Sequence, residues 1–449
     1  MRVVQKHRAA EAGSDGSCVS SPMAVSTADS PSPDLAFAHM LVGVGGMGAA
    51  FALLAIWPGA LASRWHPATL AAVHLFAVGG LAPVMFGALF QFLPVASGLA
   101  LPQWRRADPV LLAAMPAGAS GMAAGFLTGD MAWLSIGAGL GLSALLISAG
   151  RLAFVLARCQ QRTPIVFALY VALLGLLGAL ACAAVLIVGL ANRTTGPSIA
   201  LIDWHALWAV AGWVGGLVLA VAGMVVPMFH VTDAYPPAWG RWARSLPLWL
   251  LAGSLGGWLG WAWLVGPSRF ALAATALAFG VLTMQRLLRS RRKALDAFRI
   301  GWFGLALGVI VTASLGVIAH STNDTRWGLA FGAAGLVGFA GLGVNTMLYR
   351  IVPFLIWLHW QRRNKARVRL PLLHEIIPAA AQRPQMWIHA AGALLLIAAP
   401  FAPELARSAA LLLLISELTL VLLLVQAMRL YRKNVHQLDL MPARQQSHP

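Results

Sequence analysis

Charge is what this chain has least of. Only 10% of its 449 residues are Asp, Glu, Lys or Arg, against roughly 25% in a soluble globular domain. It lacks the polar surface to face water on all sides. Acidic residues are the scarcer sign, 14 against 32 Lys and Arg, for a net charge of +18. Cysteine is nearly missing too: Cys18, Cys159 and Cys182 make neither a CxxC pair nor a disulfide framework. Walker-type phosphate loops, HExxH and GxSxG are absent, and no catalytic group is assigned. No apolar stretch precedes Leu35, so residues 1–32 read as a disordered cytoplasmic tail and not as a signal peptide.

Hydrophobic residues fill the space, at 59% of the chain. Runs of about 20 apolar residues mark membrane-spanning helices. Here about twelve recur, near 35–57, 70–97, 109–128, 131–157, 164–191, 200–229, 246–265, 268–288, 300–320, 328–358, 386–402 and 406–430. The expected fold is all-α: a polytopic membrane bundle over residues 33–431, with a second cytoplasmic tail at 432–449. The turns "TGD" and "GPS" are expected to join the closest pairs, segments three and four and segments seven and eight.

Loop charge sets the direction, because cytoplasmic loops collect Lys and Arg. With the N-terminus inside, the inner loops hold Arg105 and Arg106; Arg158 and Arg162; Arg241 and Arg244; Arg289, Arg291, Arg292 and Lys293; and Arg362, Arg363, Lys365, Arg367 and Arg369. The C-terminal tail adds Arg432 and Lys433. Outer loops carry mostly single charges: Arg64, Asp130, Arg193, Arg269, Arg326 and Arg407. Both termini are therefore expected in the cytoplasm. Topology accounts for the basic excess without nucleic acid. The basic stretch 362–384 reads as a topology anchor or as a contact for anionic lipid.

Segments two, six and ten share a plan. Each is long, glycine-rich and closes on a proline: "GALFQFLPVASG", "AGMVVPMFHVT" and "NTMLYRIVPFLIWLHWQ". A recurrence every four spans predicts three pseudo-repeats of four helices. Glycine runs such as "GVGGMG" and "GFAGLGVN" let helix backbones approach closely.

Ionisable side chains inside spans are functional candidates by default. His74 heads "HLFAVGGLAPVMFGALFQFLPV" and His205 heads "HALWAVAGWVGGLVLAVAGMVVPMFHV". They are expected at matching positions and equal depth in two repeats. Neutral imidazoles from separate helices can grip one haem iron, or hold copper. His320, at the outer end of segment nine, is a third cofactor-binding candidate. His39, His230 and His359 lie nearer the inner surface and are lesser metal candidates. The alternative for each is a hydrogen bond to a backbone carbonyl. Glu417, in "LLISELTLV", sits well inside its span. It reads as a protonated, hydrogen-bonded carboxyl or as part of a proton path.

Twelve spans in three fourfold copies, inner termini and the histidine heading segment two resemble subunit I of the haem–copper oxidases. The stretch 74–95 is similar in style to the histidine helix of the nitric-oxide-reductase-like branch. The chain also resembles the NnrS-like family of bacterial twelve-span haem- and copper-containing proteins. "PMFHVTDAYP" and "MLYRIVPFLIWLHWQ" are similar to stretches of bacterial membrane proteins of this broad group. The resemblance covers about residues 35–431 by architecture and few residues by motif. It implies that His74 is a low-spin haem ligand, and it places His205 on the helix that supplies a copper ligand. Segment seven ("LPLWLLAGSLGGWLGWAWLVG") lacks the oxidases' His-His pair. Segment ten ("WGLAFGAAGLVGFAGLGVNTMLYRIV") lacks their His-x-His. The reading is thus a bacterial inner-membrane haem- or metal-binding accessory or stress-response protein without oxidase activity. The alternatives are a secondary transporter for a small solute or metal, and a structural subunit beside a respiratory complex; contacts with a second copy of the chain stay open.

Overall fold

The computed structural model describes residues 33–160, 163–192, 198–292, 296–322, 324–364 and 368–440, with Val95 and Ala96 as backbone only. The tail 1–32 with Cys18, the loop cations Arg162, Arg193, Lys293, Lys365 and Arg367, and residues 441–449 lie outside them. Among the described residues every long element is helical.

Among the described residues twelve long helical rods follow one another. They are α1 (Pro33–Ile56), α2 (Pro67–His74, Leu75–Leu81 and Ala82–Ser97), α3 (Ala107–Thr128), α4 (Met131–Arg158), α5 (Pro164–Asn192) and α6 (Ile199–Leu207, Trp208–Val214 and Gly215–His230). Then come α7 (Pro237–Leu259), α8 (Ala262–Leu288), α9 (Ala297–Ser321), α10 (Thr325–Ala333, Ala334–Gly341 and Leu342–Arg363), α11 (Ala379–Ala398) and α12 (Leu405–Leu440). Ten are long and apolar enough to cross a bilayer; α7 and α11 are the two that fall short. Their opening turns are polar, with Arg241 and Arg244 in α7 and Arg383 in α11. That leaves each a shorter apolar run.

Local chemistry explains the ends. Between α3 and α4, Gly129 takes the left-handed conformation (φ 72°) and Asp130 caps the next helix, accepting from Ala132 N at 2.7 Å. This is the expected "TGD" turn. The expected "GPS" turn is not one. The break falls at Gly260 (φ 74°), and Pro267 lies inside α8. Glycine reaches the left-handed region without a Cβ clash, whereas a proline early in a helix gives up one backbone bond. At the C-terminus α12 runs on to Leu440, so residues 432–440 of the expected tail are helical.

The long rods α2, α6 and α10 share one irregularity. Each contains a π-helical stretch: Leu75–Leu81, Trp208–Val214 and Ala334–Gly341. Each stretch starts the same distance before a proline, namely Pro94, Pro227 and Pro353. The fifth residue of each is a glycine, Gly79, Gly212 and Gly338, and each meets a glycine of the preceding rod. A Cβ on Gly46 of α1, Gly175 of α5 or Gly308 of α9 would strike the backbone of that stretch. Such close crossings exclude any larger side chain. Four residues past the proline, α2 ends on Gly98 (φ 72°) and α6 on Val231 (φ 51°), the one non-glycine with positive φ among the described residues. There α10 continues as helix.

The three rods meet near the bundle centre. Phe86 of α2 faces Trp213 of α6 with ring centroids 5.4 Å apart. Gly335 of α10 lies beside Val210 of α6, and Gly341 beside Phe76 of α2. The other rods surround them as neighbouring antiparallel pairs, with α12 packed on α1.

Candidate functional site

The π stretches place the two leading histidines. His74 directly precedes its stretch, whereas His205 stands three residues ahead of its own. The two are therefore two residues apart in register and not matched. Each ring is partly exposed and uses Nδ1 on a main-chain carbonyl. His74 bonds Leu70 O at 2.8 Å, and His205 bonds Ala179 O of α5 at 3.0 Å. A carbonyl only accepts, so both rings carry their proton on Nδ1 and keep a lone pair on Nε2. No hydrogen bond from a described residue reaches either Nε2. His74 leans on Phe126 of α3 at 5.2 Å.

Other faces of the same helices line a cavity of about 460 Å³. Its walls are apolar: Phe51 and Leu54 of α1, Phe76 of α2, Val210 of α6, Phe279 of α8, Val309 of α9, and Phe331, Val337 and Phe339 of α10. Gly328 and Gly332 leave open space beside their Cα atoms. The charged groups lie at the end of the bundle where α2, α6 and α10 begin. Asp203 accepts from Arg64 at 2.6 Å and from Arg269 at 2.8 Å. Arg269 also donates to His320 Nδ1 at 3.1 Å. A guanidinium only donates, so His320 is neutral with its proton on Nε2. Two guanidiniums share one carboxylate, which leaves one positive charge at the rim. The Arg269 Nε–H is buried, with no hydrogen-bond partner among the described residues. His320 is thus a rim group paired with Arg269 and packed on Phe270, in surroundings different from those of His74 and His205.

Behind the Val337 wall lies a second polar cluster, contributed by α10, α11 and α12. Asn345, Gln385, His389, Ser416 and Glu417 are all fully buried. Asn345 Nδ2 donates to Gly341 O at 3.0 Å and to Glu417 Oε1 at 3.1 Å. Gln385 Nε2 donates to Asn345 Oδ1 at 2.9 Å and to Ser416 Oγ at 2.8 Å. Tyr349 closes the chain on Gln385 Oε1 at 2.7 Å. His389 places Nδ1 3.3 Å from Glu417 Oε1 and Nε2 3.3 Å from Val337 O. Glu417 Oε2 has no hydrogen-bond partner among the described residues.

Sequence reasoning singled out Glu417 and passed over its partners. The signal was there in "PQMWIHA", where Gln385 and His389 are four residues apart and so share one face of a helix.

The remaining candidates occupy separate places towards the opposite end. His39 is buried, bonded to Leu35 O at 2.9 Å and set against Phe90. His359 meets the Tyr431 hydroxyl at 2.6 Å. His230 is fully buried and stacked on Phe298 at 5.1 Å, with neither nitrogen bonded to a described residue. Nearby, Arg151 and Asp108 form a buried ion pair at 2.5 Å. Among the described residues no three His, Cys, Asp or Glu side chains converge on a metal-sized site. The chain matches no family model and no curated protein.

Proposed function

We propose that this chain is a membrane-embedded carrier whose central cavity binds an amphipathic solute bearing one acidic head. The cavity carries this reading. Its volume lies within the roughly 300–1,000 Å³ of small-molecule sites, and its walls are apolar with a few convergent polar groups, as such sites require. The rim offers donors: the remaining Arg64 N–H groups and the His320 Nε2–H. An acidic head would balance the one unpaired charge. In the same reading all twelve rods span a bacterial inner membrane with both termini inside, as the basic loops suggest. The rods form three four-helix units, a reading supported by the common register of π stretch, glycine and proline.

The test is equilibrium binding of tritiated decanesulfonate to the protein in nanodiscs, with decyltrimethylammonium as the competing cation. Saturable binding that the cation does not displace is expected in wild type. Gly332→Phe, which grows a ring into open cavity space, should remove it. Equal affinity in wild type and Gly332→Phe would refute the reading.

A second reading has its own observation. The lone pairs left on His74 and His205 Nε2 fit the donor set of a haem iron, or alternatively of copper, because a carbonyl on Nδ1 fixes the ligating tautomer. A haem held there would supply a redox-active or gas-binding iron. Expression under haem-replete conditions tests it. A reduced His-ligated spectrum in wild type, lost in His74→Ala and His205→Ala, is the expected result. Colourless wild-type protein would refute it.

A further inference from the structure

We infer that Glu417, His389 and Asn345 form a proton-binding site, and that His389 relays its proton to the wall of the cavity. The argument begins with donors and acceptors. The Gly341 carbonyl accepts, which fixes Nδ2 of Asn345 on that side. Gln385 and Tyr349 then fall into the one consistent pattern. Val337 O also accepts, so a neutral His389 carries its proton on Nε2, and Nδ1 is left as an acceptor. It faces Glu417 Oε1 at 3.3 Å, with Asn345 Nδ2 at 3.2 Å and Ser416 Oγ at 3.4 Å beside it. An ionised Glu417 would be a fully buried anion with one oxygen wholly unpartnered, a costly state in an apolar interior. A neutral Glu417 removes the conflict. Its proton on Oε1 points at His389 Nδ1, Asn345 still donates to Oε1, and Oε2 is an uncharged carbonyl oxygen.

The occupant is a proton and not a metal cation, because Asn345 turns its NH₂ group towards the carboxyl. The groups facing the pair are Asn345 and Tyr349 from α10, Gln385 from α11, Ser416 from α12, Gly48 from α1 and Phe76 from α2. Tyr349 is the only further titratable group among them.

Release follows from the geometry. If Glu417 gives up its proton, the new carboxylate needs a donor, and His389 Nδ1 is in reach. The proton passes from Oε1 to Nδ1, and Nε2 gives its proton to a water molecule entering from the cavity on the Val337 side. The products are Glu417 carboxylate, neutral His389 protonated on Nδ1, and one protonated water. The bond to Val337 O is lost in the same event. Val337 belongs to the π stretch of α10 and lines the cavity, so proton occupancy and cavity shape are linked. The coupling half of this inference rests on the carrier reading; the proton site does not.

Two measurements separate them. Infrared spectra of the protein in nanodiscs at neutral pH should show a protonated-carboxyl C=O band that shifts in D₂O and disappears in Glu417→Gln. Absence of a band sensitive to that substitution overturns the proton site. Decanesulfonate stays ionised across the accessible range. Its affinity should fall as pH rises above neutral, by up to about tenfold per unit, the limit for one coupled proton. Glu417→Gln and His389→Asn should flatten that profile, while His359→Gln, at the opposite end of the bundle, should leave it. A slope that survives in Glu417→Gln, or that vanishes in His359→Gln, overturns the relay. If decanesulfonate does not bind at all, the cavity reading and the relay fall together, and the infrared band still decides the proton site.

Discussion

Removing the Arg151 guanidinium should be the most damaging single change on the side of the bundle where α2 ends. Its side chain is 5% exposed and that of Asp108 is 3% exposed, with 2.5 Å between them. Arg151 also donates to the Pro102 carbonyl and stacks over Trp104 at 4.5 Å. Asp108 takes a second bond from Trp104 N at 2.8 Å. Arg151→Met keeps the length of the stem but strands a buried carboxylate, for which the loss is about 3–5 kcal/mol. Asp108→Asn still accepts from Trp104 N and carries no charge. The double variant Asp108→Asn/Arg151→Met should therefore regain part of the loss. What stays missing is the cation–π contact, about 0.5–2 kcal/mol, and the bond to Pro102, about 0.5–1.5 kcal/mol. Unfolding by SDS in mixed micelles gives all four corners of the cycle. A loss below about 1 kcal/mol for Arg151→Met, or a double variant no more stable than the single, would refute the account.

Three further outcomes follow. Alanine at Gly46, Gly175 or Gly308 should destabilise by about 1–3 kcal/mol, despite the better helix propensity of alanine, because each Cβ meets partner backbone; the same unfolding assay reads it, and a neutral result at all three would show that the rods can part freely. Replacing Arg269 with Met should weaken decanesulfonate binding at least tenfold while leaving the fold intact by circular dichroism; unchanged affinity would take the rim out of recognition. Tyr235 lies between α6 and α7, and burial pushes its phenol up to about 12, with a smaller opposing effect from its bond to Thr283. The unfolded phenol ionises near pH ~10, so its contribution to stability is intact below that pH and is lost as pH rises towards about 12. Tyr235→Phe should shrink that alkaline loss, and an unchanged profile of stability against pH would argue against a buried phenol.

Most of the architecture was legible because membrane segments announce themselves by length and apolarity. The misplaced turn between α7 and α8 shows the limit. "GPS" and "LGW" both contain a breaker, and the choice of Gly260 depends on which residue must enter the left-handed region, a property of the folded chain. The π stretches were invisible, since one extra residue in a glycine-rich run leaves hydropathy unchanged. Arg151 stood in plain view inside segment four, with Asp108 at the head of segment three; their pairing needed the packing of α4 on α3. For the sites, the sequence drew attention to single histidines at helix heads. It could not show that Asp203 gathers Arg64 and Arg269 from two other elements, or that His389 turns towards Glu417. These are long-range encounters, and spacing within one helix says nothing about them.

A π stretch also acts as a phase shifter. Successive residues of an α-helix step by about 100° around its axis, and one residue more or less offsets the two halves of a rod by about that angle. In α6 the half before Trp208 carries Asp203 and His205, while the half after Val214 runs to Pro227 and His230. Deleting a single residue from Trp208–Val214 would leave the Pro227 half seated and swing the other half through more than a quarter turn. Asp203 would leave its two arginines, and His205 would leave the Ala179 carbonyl. Each of the three long rods is thus two separately aimed pieces on one axis, and its orientation is set by residue count as firmly as by side-chain packing.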